Sequence, residues 1–199
     1  MGKSGFYLEY DIKDHNGRIL RKGRRRANSF VGNLIALLWS IMVSKGTSNS
    51  TTYLLVSRAD LIDTSGNART LTISNSARAP AGTHTYGIRV GTGTTPVAIG
   101  QVNLASPIVH GTGSGQLQYG ITTVETLIKS PTEWFYRIIR AFSNSSGATI
   151  TVNEAGLFYN ASTGGGLDFQ YMIARDLIPG LEIPNGATLT LRYIISYSI

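Results

Sequence analysis

Apolar and polar residues alternate with a period of two over most of this chain, which predicts strands rather than helices. The clearest stretch is Ala148–Asn160 (A-T-I-T-V-N-E-A-G-L-F-Y-N). There the alternation sets Ile150, Val152, Glu154, Gly156 and Phe158 on one face and Thr151, Asn153, Ala155, Leu157 and Tyr159 on the other. Turn residues cut it at both ends, S-N-S-S-G before and N-A-S-T-G-G-G after. Ala187–Ile199 is as regular, with Leu189, Leu191, Tyr193, Ile195 and Tyr197 pointing one way. Near the start, Phe6, Leu8, Tyr10 and Ile12 alternate with Tyr7, Glu9, Asp11 and Lys13. Asn16-Gly17 is then the signature of a tight hairpin turn, with Arg18–Lys22 as the returning strand. Further strands are predicted over Tyr53–Arg58, Ala68–Ser74, His84–Val90, Gln116–Val124, Glu133–Ser143 and Phe169–Leu177, and Gly91–Pro107 is predicted to be an extended loop. Closely spaced strands without a βαβ rhythm predict a mainly-β fold, an antiparallel β-sandwich of jelly-roll-like form.

One segment breaks the pattern. From Ser29 to Ser44 the apolar spacing becomes helical, with Phe30, Leu34, Leu37, Leu38 and Ile41 on one stripe and Val31, Ile35, Trp39 and Met42 filling much of the remainder. This apolar run of about 14 residues falls short of the ~20 that span a bilayer, so no membrane span is expected. It follows a complete hairpin and precedes no A-x-A-like site, so it is not expected to be a secretory signal either. Its expected role is an oligomer interface through Phe30, Leu34, Leu38, Trp39 and Met42. The chain thus divides into a hairpin with a basic arm (1–28), an apolar helix with its linker (29–52) and a β-sandwich domain (53–199).

Charge changes the picture in one place. Only 15% of the 199 residues are charged, and the net charge is +7. Five of those seven charges arise within residues 1–26, where eight cations face three acids. Arg21, Lys22, Arg24, Arg25 and Arg26 form the core of that run. Arg forks suit phosphate or carboxylate oxygens, so these residues are expected to meet nucleic acid or an acidic partner surface.

The sequence offers little catalytic chemistry. With no Cys, disulfides and thiolate metal sites are excluded. His15, His84 and His110 show no metal-ligand spacing, so no metal or cofactor is expected. Gly91-Thr92-Gly93 lacks the third glycine and the helix of a dinucleotide loop, and Gly2-Lys3-Ser4 lacks the rest of a phosphate loop. Glu125, Glu133 and Glu154 do not place the paired carboxylates of a glycosidase. The expectation is therefore a protein that is not an enzyme. Glu154 among apolar neighbours must find a partner, and Arg175, in the apolar run M-I-A-R-D, is the candidate for a structural ion pair.

The ordered set G-R-R-R-A-N-S-F-V-G-N-L (23–34), R-V-G-T-G-T-T-P-V-A-I (89–99), L-A-S-P-I (104–108), T-V-N-E-A-G-L-F (151–158), M-I-A-R-D (172–176) and L-T-L-R-Y-I-I-S-Y (189–197) resembles small structural proteins of tailed phages. Those are minor capsid, decoration or tail-fibre components. The resemblance implies a location in the virion, self-association and contact with other virion proteins. Two other classes compete with it. One is the coat protein of a small virus, with residues 21–26 as an arm contacting nucleic acid. The other is a carbohydrate-binding or adhesin module, with Trp134, Tyr136 and Tyr159 as its aromatic platform.

Overall fold

The computed structural model describes residues 3–26, 53–54, 61–69, 72–73, 77–126, 128–162 and 168–198. The helix predicted over Ser29–Ser44 lies outside the described residues, and with it the interface expected of Phe30, Leu34, Leu38, Trp39 and Met42. Among the described residues every regular element is a strand. The first seven are β1 (Lys3–Lys13), β2 (Ile19–Arg26), β3 (Tyr53–Leu54), β4 (Leu61–Ile62), β5 (Ala68–Arg69), β6 (Thr72–Ile73) and β7 (Gly87–Gly91). The others are β8 (Gln118–Tyr119), β9 (Thr123–Val124), β10 (Ile128–Lys129), β11 (Glu133–Ser143), β12 (Ile150–Ser162), β13 (Asp168–Ile183) and β14 (Thr188–Ser198).

The protein is mainly β, built from antiparallel sheets. The larger sheet runs β10-β11-β14-β1-β2, with β8 and β9 also on β11. In the second sheet β12 lies between β13 and β7, with β6 and β3 beyond its far end, and β4 pairs with β5 separately. The Asn16-Gly17 turn forms as expected, with Gly17 at φ 79° and the Asp14 carboxylate accepting the Asn16 and Arg18 N–H groups. Within the hairpin, β1 pairs with β14 along its whole length, from Lys3↔Ser198 to Lys13↔Thr188. The predicted strand Gln116–Val124 is broken into β8 and β9. The Thr122 N–H leaves the ladder to bond the Ala79 carbonyl, and the Gly120 carbonyl turns to Arg140.

One hydrophobic cluster draws on both large sheets. Leu8, Ile12, Phe142, Leu189 and Leu191 come from one, and Ile88, Val90, Val152, Leu157 and Leu181 from the other. Period-two burial accounts for most of these positions, but not along β12. Val152 pairs with Leu181 and Glu154 with Leu177, so Ile178-Pro179-Gly180 loops out opposite Asn153 alone. Across this irregular pairing the side-chain phase along β12 changes by one. Pro179, which has no N–H to offer the ladder, suits that position. Ile150 and Val152 face the main cluster, and so do Ala155 and Leu157 beyond the bulge. Glu154 therefore does not share a face with Val152, contrary to the strict alternation. Phe158 packs in a separate small cluster with Leu104 and Met172.

Candidate functional site

The bulge delivers Glu154 beneath the segment that follows β7. Its side chain and that of Arg175 are fully buried, and Arg175 Nε donates to Glu154 Oε2 at 2.7 Å. The two meet on a diagonal, since Arg175 is paired with Gly156 and Glu154 with Leu177. The Glu154 carboxylate also accepts the N–H groups of Gly93 (3.1 Å), Ala105 (3.1 Å) and Ser106 (2.8 Å). Arg175 reaches the same loop from its other side, donating to Gln101 Oε1 at 2.9 Å and the Thr95 carbonyl at 3.0 Å. Residues 91–107 are thus wrapped around one ion pair. Burial by itself would raise the Glu154 pKa, but the Ser106 N–H, the Arg175 guanidinium and the Ala105 N–H outweigh it and hold the carboxyl below its ordinary 4.5.

The glycines of G-T-G acquire a definite purpose here. A Cβ on Gly91 or Gly93 would stand 2.4 or 2.5 Å from Glu154 Oε1. They make room for a carboxylate of the same chain, 61 residues beyond Gly93. Gly91→Ala and Gly93→Ala are each expected to lower stability by about 2 kcal/mol, as overpacking does. Urea titration checks this, and unchanged midpoints in both variants would show that the loop does not close on Glu154.

A second buried cation organises the neighbouring segment. Arg140, on β11, is fully buried and donates to the carbonyls of Gly120 (2.8 Å), Tyr86 (2.9 Å), Ile88 (3.0 Å), Pro80 (3.2 Å) and Thr83. Its guanidinium lies 4.8 Å from the centroid of the Tyr119 ring. His84 and His110, distant in sequence, flank that same ring at 6.3 and 6.4 Å. His110 Nδ1 accepts the Tyr119 N–H at 3.0 Å, so it serves the backbone. Burial, then Arg89, His110 and Arg140, lower the His84 pKa below 6.5. Among the described residues no three potential metal ligands converge.

The basic run is the strand β2, which ends the larger sheet among the described residues. Strand alternation divides its five cations, which the sequence grouped as one contact surface. Arg21 pairs with Ile12 and Arg25 with Leu8, on the inner side, and both guanidinia reach across to the bulge of β13. Arg21 donates to the Gly180 carbonyl at 3.0 Å and Arg25 to that of Leu177. Gly23 separates them because the Tyr10 ring lies over it, 2.5 Å from where a Cβ would stand. Lys22, Arg24 and Arg26 take the opposite face, across from Asp11, Glu9 and Tyr7. Arg24 Nε is 3.3 Å from Glu9 Oε1, with its guanidinium over the Tyr7 ring, and Arg192 from β14 covers Asp11. Ile19 and Leu20 at the start of β2 are about half exposed, at 50% and 48%.

The three aromatics of the adhesin alternative are not assembled alike. Tyr136 is half-buried and packs against the main core, and burial raises its pKa. Tyr159 stands on β12 of the other sheet, and the Trp134 side chain lies outside the described residues. No protein-family model, curated protein or solved structure matches this chain.

Proposed function

We propose that this protein is a virion structural component that self-assembles or attaches to a viral particle, as the resemblance to small structural proteins of tailed phages implies. We further propose that its two large sheets form a jelly-roll-like β-sandwich. The shared hydrophobic cluster supports that arrangement, as do Arg21 and Arg25, which reach from an edge strand of one sheet to carbonyls of the other. The observation that carries the assembly role is the edge strand β2. It combines exposed cations with exposed Ile19 and Leu20 and leads directly into the apolar run that begins at Phe30. Exposed apolar area beside an unpaired strand edge is characteristic of contact surfaces. The genome-contacting arm of a small-virus coat protein is the weaker alternative, because only Lys22, Arg24 and Arg26 face outward and Arg24 already meets Glu9.

Sedimentation velocity with electron microscopy of the purified chain tests the assembly role. Wild type is expected to form defined oligomers or to decorate an added shell or tail. Leu38→Ser/Trp39→Ser is expected to yield smaller species or insoluble monomer. A wild-type chain that stays monomeric at high concentration and decorates nothing would overturn the proposal.

A further inference from the structure

We infer that the edge of β2 that has no partner among the described residues is a docking strand for an extended acidic segment of a different protein, which joins the larger sheet as an additional antiparallel strand. This deepens the assembly role proposed above and rests on it. The occupied flank of β2 displays the chemistry that the free flank selects. On the occupied side β1 supplies Glu9 opposite Arg24 and Asp11 opposite Lys22, so the outer face alternates acid against base across the ladder. The other side of β2 has no neighbouring strand among the described residues. Lys22 and Arg26 form no ion pair among the described residues, and every residue of the strand but Gly23 is exposed. Such an edge is open to strand addition, where main-chain hydrogen bonds supply affinity and alternate side chains supply selectivity.

Charge decides the occupant. A second copy of β2 laid antiparallel would set Lys and Arg against Lys and Arg on both faces, and like charges directly opposite are destabilising. Another acidic strand of this chain is not at hand either. Acids at alternate positions occur only at Glu9 and Asp11, which already pair with β2. The occupant is therefore a foreign strand with acids at alternate positions, entering opposite Lys22, Arg24 and Arg26, with an apolar residue near Ile19 and Leu20. The cations thereby repel a second copy of the edge and select the partner.

The test uses the full chain and four fluorescent probes. They are a capped peptide alternating Glu with Thr and ending in Val, a scrambled isomer with its Glu residues in one block, the alternating peptide N-methylated along one edge, and random duplex DNA. The alternating peptide is expected to bind and to slow amide exchange within residues 19–26. The scrambled isomer should bind about tenfold more weakly, since its acids no longer align with the strand, and the N-methylated peptide should not bind. Lys22→Glu/Arg26→Glu, at two exposed positions, should lose the acidic peptide and accept one alternating Lys with Thr. That gain keeps the test informative if charge reversal merely weakens binding. Equal affinity for all three acidic peptides would reduce the edge to a charged patch and overturn the inference. So would DNA binding with a log–log salt slope near −2.7, about −0.9 for each of three outward cations, if the peptides fail to bind. Sedimentation of the same samples separates the two proposals. Assembly without strand capture sinks only the docking strand, and strand capture by a chain that remains monomeric and decorates no shell or tail sinks only the assembly role.

Discussion

Glu154→Leu is expected to lower the unfolding free energy by about 3–5 kcal/mol, the cost of leaving one member of a buried ion pair without its partner. A buried pair can often be replaced by two apolar residues with little loss. This one should resist that exchange. Glu154 also accepts the N–H groups of Gly93, Ala105 and Ser106, and Arg175 holds Gln101 and Thr95. Glu154→Leu/Arg175→Leu would leave those amides without an acceptor, at about 1–3 kcal/mol for each that stays buried. The double variant is therefore expected to remain well below wild type, with fast amide exchange at Gly93, Ala105 and Ser106. A double variant as stable as wild type would mean that the loop does not depend on the pair. Acid supplies an independent check. The folded-state pKa of Glu154 lies below its ordinary 4.5, so the stabilisation is complete above that value and is lost as pH falls through the lower folded value. Wild type should lose stability on acidification from 4.5 downward, and the variants should lack that component.

Arg140→Met should be nearly as damaging. The guanidinium gathers five carbonyls from residues 80–88 and 120 into one cage, and burial lowers its pKa to about 10, which leaves it charged at neutral pH. Methionine matches the stem but donates nothing. Each carbonyl left buried without a donor costs about 1–3 kcal/mol, and with some of them taking up water the loss should total about 4 kcal/mol. Arg140→Lys keeps the charge and three donors and should recover part of this. Urea unfolding followed by Tyr fluorescence gives the midpoints. A methionine variant within about 1 kcal/mol of wild type, the worth of a single ordinary hydrogen bond, would show that the cage is not needed.

How much of this was legible in the sequence depended on the range over which each feature is determined. Local patterns were readable: the alternation of Phe6, Leu8 and Ile12, the Asn16-Gly17 turn and the regular run ending the chain all form as strands and a turn. So was the need of Glu154 for a partner, because a carboxylate among apolar residues must be compensated somewhere. The face that carries Glu154 was not, since the phase of β12 changes where its pairing with β13, a different strand, becomes irregular. Gly91-Thr92-Gly93 is no dinucleotide loop, and what its glycines make room for comes from far along the chain, out of reach of any local pattern. Arg140 looked like one more charge in a strand, because backbone carbonyls leave no trace in side-chain composition. The basic run could have been divided in advance: had the return strand been extended from Lys22 to Arg26, alternation alone would have separated Arg21 and Arg25 from Lys22, Arg24 and Arg26.

The pairing of β1 with β14 has a consequence during synthesis. Asp11 and Arg192, joined across that ladder, are separated by 181 residues. At ribosomal rates of about 5–20 residues per second, β1 and β2 wait roughly ten to thirty-five seconds for the strand that completes their sheet. A two-stranded hairpin is marginal in water, so the nascent chain carries Phe6, Leu8 and Ile12 uncovered for that whole interval. Adjacent ribosomes on one messenger would then present identical unfinished hairpins side by side, and the mutual repulsion of their arginine-rich strands would keep those hairpins from pairing with one another before each chain is finished.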